Sequence, residues 1–199
     1  MNEIVVFGGC FNPPLNSHFS LAQELINEHK QIEKIIFMPA SSKYQKVDLI
    51  ENEHRYQMLK LVCDKNDKFD VSRIEIDFPR QLHTIETLNK IKEQYPKNEI
   101  CFTTGTDNLK ELETWNQAQE IVKNFKIYVF ERGIDNIEEI IMSNEFLRKN
   151  KQAFQRVENQ IKSNLSSTYA RTQLKNKKSI KYLTPNEVEK YIEQNKLYN

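Results

Sequence analysis

The sequence is short of cysteine, of glycine and of long apolar runs, and each shortage excludes something. Three cysteines among 199 residues, Cys10, Cys63 and Cys101, are odd in number and far apart. They supply neither a disulfide framework nor the paired spacing of a metal site. No stretch reaches the roughly 20 apolar residues that span a bilayer. The chain enters an apolar strand at Ile4 without a basic segment or long apolar run before it, so a cytoplasmic protein is expected. An excess of charge is also missing: 29 Lys and Arg stand against 28 Asp and Glu. No basic field therefore selects nucleic acid, and neither nucleic acid nor a membrane is an expected partner. Internal repeats and low-complexity linkers are absent, and the length predicts one domain over 1–199 with room for a real core.

What the chain does have is a regular alternation of strand and helix patterns. Ile4-Val5-Val6-Phe7 is a continuous β-branched and aromatic run ended by Gly8-Gly9, as in a strand buried on both faces. From Ser17 to about His29 the residues Phe19, Leu21, Ala22, Leu25 and Ile26 recur at helical spacing. Ile35 to Met38 repeats the buried-strand pattern and stops at Pro39. A helix is predicted from about Asn52 to Asp64, one extended segment or two short ones from Phe69 to Ile76, and a helix from Thr84 to Tyr95. A strand from Glu99 to Thr104 ends at Gly105, and a helix over Ala118 to Lys123 precedes a strand over Lys126 to Phe130. Residues 133–152 read as a charged insertion with a helix around Ile137 to Phe146, followed by a last strand from Ala153 to Val157. The tail, about 163–199, predicts two helices, one from near Ser166 and one from Pro185 to Asn195 with Thr184 as N-cap. This alternation predicts an α/β fold: a Rossmann-like doubly wound parallel sheet with helices on both faces and a small helical C-terminal part. Such sheets bind ligands at the carboxyl ends of their strands, where the strand order reverses.

Residues with chemistry to offer collect at those ends. Gly8-Gly9-Cys10-Phe11-Asn12-Pro13-Pro14-Leu15-Asn16-Ser17-His18 joins the first strand to the first helix. Paired glycines permit a tight turn whose main-chain N–H groups can approach an anion. The helix N-terminus beyond adds partial positive charge, and His18 could donate to a phosphate oxygen. A plain glycine turn beside a buried histidine reads the same residues equally well. No third glycine follows at the dinucleotide G-x-G-x-x-G spacing. Ser166-Ser167-Thr168 at a helix start, with Arg171 a turn later, could hold a phosphate; helix capping by the hydroxyls is the competing reading. Lys43 and Lys46 follow the second strand, and Asp107 follows the strand that ends at Thr104, where a carboxylate could accept hydrogen bonds from a ribose. Trp115, the one tryptophan, reads first as core packing.

The first of these stretches resembles the G-G-(S/T)-F-(D/N)-P-x-(H/T)-x-x-H loop of the nucleotidyltransferase superfamily. Within it, the chain is similar to the nicotinate- and nicotinamide-mononucleotide adenylyltransferases from Val5 to Tyr198. Gly105-Thr106-Asp107-Asn108-Leu109 with Trp115 resembles their G-(A/T)-D-N-L…W segment, and His83-Thr84-Ile85-Glu86-Thr87-Leu88 their Y-T-I-D-T-L. Leu165 to Arg171 resembles I-S-S-T-x-x-R, and Tyr182-Leu183-Thr184-Pro185 with Tyr191-Ile192 resembles the C-terminal Y-L-x-P…Y-I. His54-Arg55 resembles an H-R…M-L stretch, and a structural role is expected for both.

The resemblance implies transfer of AMP from ATP to nicotinate or nicotinamide mononucleotide, with release of pyrophosphate, in NAD biosynthesis. It implies that Gly8, Gly9, Cys10, Phe11, His18, Gly105, Asp107, Ser166, Ser167, Thr168 and Arg171 bind ATP. Asn12, Lys46, His83, Thr84 and Trp115 would bind the mononucleotide, with Trp115 on the pyridine ring. His18, Lys46 and Arg171 would carry catalysis by charge neutralisation, with no general base and no covalent intermediate. Mg²⁺ would come held by the ATP phosphates and water, since no metal-ligand set is visible. Leu15 stands where the resemblance has His or Thr, and so reads as a lost phosphate-side donor, costing on the order of 3 kcal/mol in comparable sites. A non-catalytic nucleotide-binding role, or transfer to a different phosphate acceptor, are the alternative readings.

Overall fold

Alternating buried side chains put two cores on one sheet. In the computed structural model, which describes residues 1–43, 49–158 and 165–198, the first strand, β1 (Glu3–Gly9), is buried from Glu3 to Phe7. Successive side chains of a strand point to opposite faces. Ile4 and Val6 accordingly join one apolar cluster, and Val5 and Phe7 join the other.

The chain continues as α1 (Asn16–Glu28), β2 (Ile32–Pro39), α2 (Asn52–Cys63), β3 (Phe69–Val71), α3 (Ile74–Asp77) and α4 (Thr84–Gln94). The second half runs β4 (Glu99–Gly105), α5 (Thr106–Leu109), α6 (Ala118–Asn124), β5 (Lys126–Phe130), α7 (Ile137–Ser143), α8 (Glu145–Lys149), β6 (Phe154–Arg156), α9 (Ser167–Lys175) and α10 (Asn186–Gln194). The six strands form one sheet in the order β3-β2-β1-β4-β5-β6, and every pair is parallel. Strand order reverses between β1 and β4, which places a ligand crevice beyond Gly9 and Gly105. On one face Ile85, Leu88 and Ile91 of α4 and Ile121 of α6 cover Ile36, Phe102 and Val129. On the other, Phe19, Ala22 and Leu25 of α1 and Leu59 of α2 cover Ile35, Phe37 and Tyr128. No helix among the described residues is long and apolar enough to cross a membrane.

Three sequence expectations change. Phe69–Ile76 is not extended throughout: β3 ends at Val71 and a helical turn, α3, follows. The Ile137–Phe146 helix is two, broken at Asn144, whose side chain accepts from the N–H of Leu147 and starts α8. Thr184 does not cap the last helix. Its hydroxyl donates to the carbonyl of Pro14 at 2.6 Å, and α10 begins after Pro185.

Candidate nucleotide-binding site

The β1–α1 loop is clamped from three sides. From α2, Arg55 is wholly buried and donates to the carbonyls of Cys10 at 3.0 Å and Ile50 at 3.2 Å, with Asn52 completing its shell. From α9, Ser167 donates to the Pro13 carbonyl at 2.8 Å and Arg171 to the Asn12 carbonyl at 2.9 Å. From the C-terminal part, Tyr198 donates to Oδ1 of Asn12 at 2.7 Å and Asn16 to the carbonyl of Tyr182 at 2.8 Å. These bonds satisfy carbonyls of an irregular loop that would otherwise be buried without partners. His54 pairs with the hydroxyl of Tyr191 at 3.0 Å, so both residues of the His54-Arg55 pair serve the structure.

Within that clamp the glycines do different things. A side chain on Gly8 would meet nothing within 4 Å, so its backbone faces open space, whereas one on Gly9 would press on the ring of Phe11. Phe11 itself holds a left-handed φ of 47° and is 2% exposed. A bulky residue adopts such a backbone only where its surroundings fix it. Its ring meets His18 edge-on at 5.1 Å. His18 Nδ1 accepts the N–H of Leu15 at 2.9 Å, which leaves the proton of the neutral ring on Nε2. Burial, with the Arg132 guanidinium adding to it, pushes the imidazole down to about 4. At neutral pH His18 is an uncharged donor.

Leu15, read from the sequence as a lost donor, points elsewhere. It is 1% exposed and packs with Met58, Ala170, Ile180, Val188 and Ile192 in a third apolar cluster, which ties the C-terminal helices to the loop.

A cavity of about 680 Å³ opens at the strand-order switch. Of the residues expected to bind nucleotide, Gly8, Gly9, Cys10, His83, Thr84 and Trp115 all line it. His83 is the N-cap of α4 and its N–H is held by the Glu86 carboxylate at 2.9 Å. Trp115 meets both readings of its ring: half-buried against Phe102 at 6.5 Å, it also forms cavity wall. Asn12 is 2% exposed with its side chain bound to Tyr198, behind the loop and not on the cavity wall.

Ser166 caps α9 by accepting the N–H of Tyr169 at 3.2 Å, and Thr168 accepts from Arg171 at 3.3 Å. The hydroxyls therefore do cap, while the same helix start is drawn against the β1–α1 loop. Asp107 pairs with Arg132 at 3.1 Å, beside the buried end of β4 at Gly105. A side chain at Gly105 would run into both partners. Lys46 lies outside the described residues, and Lys43 donates to the carbonyl of Phe78 at 2.6 Å.

Sequence reasoning missed Arg132 and Glu75. Both follow the carboxyl end of a strand, the position that the crevice rule makes interesting, but no motif marked either. Among the described residues the one cluster with metal-ligand spacing is Glu3, Glu99 and Cys101. It lies at the opposite, amino end of the central strands β1 and β4, where Lys126 and Tyr128 already hold Glu3.

The cytidylyltransferase-like family profile matches residues 6–173. The chain is 32% identical over 197 residues to a probable nicotinate-nucleotide adenylyltransferase of Carboxydothermus hydrogenoformans, covering 98% of each chain. It is 30% identical over 200 residues to the nicotinate-nucleotide adenylyltransferase of Bacillus subtilis, covering 100% of this chain and 99% of that one. The fold is similar to that of Plasmodium falciparum nicotinic acid mononucleotide adenylyltransferase complexed with NaAD, with a TM-score of 0.79 at 21% identity, over 100% of this chain and 98% of that one.

Proposed function

Because the chain belongs to the nicotinate-nucleotide adenylyltransferase family, we propose that it transfers AMP from ATP to a pyridine mononucleotide, forming the dinucleotide of NAD biosynthesis and pyrophosphate. The observation that carries the reading is the shared cavity, which Gly8, Gly9 and Cys10 line together with His83, Thr84 and Trp115. An aromatic plane and a helix N-terminus suit a flat ring with a polar substituent. A glycine turn suits the phosphates that ring must bring.

The mononucleotide phosphate is anionic at neutral pH and needs no base. One of its oxygens bonds to the α-phosphorus of ATP as the bond from that phosphorus to the bridging oxygen breaks, and pyrophosphate leaves with the electron pair. The residues of this chain position and neutralise. In this reading His18 offers Nε2–H without carrying charge of its own, and the main-chain N–H groups of Gly8, Gly9 and Cys10, which line the cavity, are further donors. Arg171 exchanges its bond to the Asn12 carbonyl for a phosphate oxygen, and Arg132 supplies a second guanidinium. Lys46 adds a further cation in this reading. Mg²⁺ enters as part of the MgATP substrate and offsets phosphate charge. Mg²⁺ keeps several of its waters and does not call for an all-protein cage.

Leu15 lends no weight to a non-catalytic role once its side chain lies in the C-terminal apolar cluster. The test is pyrophosphate release from purified protein with ATP, Mg²⁺ and either the acid or the amide mononucleotide. Turnover with at least one is expected; ATP binding without turnover on either would overturn the proposal.

A further inference from the structure

Glu75 is a carboxyl group on the wall of the same cavity, brought there by the α3 turn that the sequence did not foretell. One oxygen accepts the hydroxyl of Thr87 at 2.9 Å, and Thr87 is 2% exposed. The cavity that Glu75 lines together with His83, Thr84 and Trp115 has no lysine or arginine in its lining among the described residues. A ring carrying a 3-carboxylate therefore meets a carboxyl group there, with no cation among the described lining residues to screen the pair. Two carboxylates at close range cannot both stay ionised; they share a proton. A ring carrying a 3-carboxamide presents N–H donors instead, which an ionised carboxylate accepts.

The groups around Glu75 leave it free to do this. From α2, the Arg55 guanidinium favours the ionised form but is itself tied to the carbonyls of Cys10 and Ile50. From α4, Thr87 donates a hydrogen bond, His83 stands on the cavity wall, and Glu86 is held by Arg80 and the His83 N–H. From β2, only Met38 of the strand reaches this wall, and Glu111 is the other acidic residue on it. Arg73, just before α3, pairs with Asp77 at its end and with Glu53 of α2. Burial pushes the Glu75 carboxyl up to about 7 against the smaller pull of Thr87 and Arg55, so both protonation states are within reach near neutrality.

We infer that Glu75 reads the substituent of the pyridine ring through its own proton, donating to a 3-carboxylate when protonated and accepting from a 3-carboxamide when ionised. This rests on the function proposed above. Preference between the acid and amide mononucleotides is then a function of pH, with the acid favoured on the acid side, and binding of the acid takes up a proton.

The test compares kcat/KM for the two mononucleotides at pH 6 and pH 8 in the wild type, Glu75→Gln and His83→Asn. Their phosphates titrate alike, so the acid-to-amide ratio removes that effect. In the wild type the ratio should fall by up to about a hundredfold from pH 6 to pH 8, about tenfold from loss of the protonated form and about tenfold from gain of the ionised one, for a group titrating near the middle of that range. Glu75→Gln keeps an acceptor for Thr87 and adds a permanent donor; its ratio should stay within about twofold. His83→Asn should keep the wild-type slope. Where the amide is not turned over, the KM of the acid carries the same comparison between wild type and Glu75→Gln. Calorimetry of the acid mononucleotide binding at pH 8, in buffers of different ionisation enthalpy, should show uptake of nearly one proton by the wild type and none by Glu75→Gln. A flat wild-type ratio, or a slope that survives in Glu75→Gln, would overturn the inference while leaving the adenylyl transfer intact. No turnover with either substrate would overturn both.

Discussion

Position 15 separates two accounts of the site. If Leu15 is a lost phosphate donor, Leu15→His should restore it and raise turnover by a hundred-fold or so, the inverse of removing one such donor. The structure gives the opposite expectation. The side chain is 1% exposed among Met58, Ala170, Ile180, Val188 and Ile192, so an imidazole there loses the packing and buries a polar ring. Truncating a buried leucine costs about 3 kcal/mol. With an unfolding entropy near 2.1 cal/mol/K per residue, that cost over a chain of this length lowers Tm by about 7 °C. Leu15→Ala should show this loss, and Leu15→His at least as much, since its ring nitrogens add a desolvation term. The backbone N–H of residue 15 still orients His18 in both variants, so kcat measured well below the lowered Tm should change by less than about threefold. Thermal unfolding followed by circular dichroism, together with pyrophosphate release at 20 °C, reads both quantities. A Leu15→His variant with unchanged Tm and a tenfold or greater gain in kcat would refute the placement of this side chain.

Other expectations follow from the same geometry. His18→Ala should lower kcat by about 10²–10³, the usual effect of deleting a transition-state donor, with a much smaller change in the KM for ATP. Because the His18 ring titrates at about 4 against an ordinary 6.5, the unfolded chain takes up a proton between those values that the folded one refuses. Its contribution to stability is thus whole above pH 6.5 and is lost as pH falls towards 4, by up to about 3 kcal/mol; in urea titrations His18→Gln should lack that component. Arg171→Lys replaces a planar fork by a point charge and should cost tenfold or more in kcat/KM, with Tm little changed. At the amino ends of the strands, away from the cavity, Lys126→Met leaves Glu3, 1% exposed, without its cation, and should destabilise by about 3 kcal/mol without altering KM.

Much of the fold is legible in local pattern because local pattern is what buries it. Val5 and Phe7 alternate with Ile4 and Val6 because the strand has a core on each face, and α1 follows from the spacing of Phe19, Ala22, Leu25 and Ile26. Where the periodicity is too short to register, the reading failed: α3 is four residues long, and Asn144 divides one helical pattern by a side-chain hydrogen bond. Thr184 looked like a cap because its neighbours match a helix start, yet the acceptor it finds, the Pro14 carbonyl, is 170 residues away in sequence.

The sequence by itself determined the alternation of strands and long helices, the two-sided core, and which residue types the β1–α1 loop and the start of α9 carry. Those depend on short-range periodicity and on residue types in fixed order. Only the tertiary structure decided which atoms those residues offer. His18 is a neutral Nε2 donor because Leu15 N–H holds its other nitrogen and Arg132 approaches from β5. Leu15 belongs to the C-terminal cluster because α9 and α10 return to the start of α1. Glu75 and Trp115 line one cavity because the segments that follow β3 and β4, strands on opposite sides of β1, both border it. Each of these is set by contact between segments far apart in the chain, and burial, tautomer and charge follow from that contact.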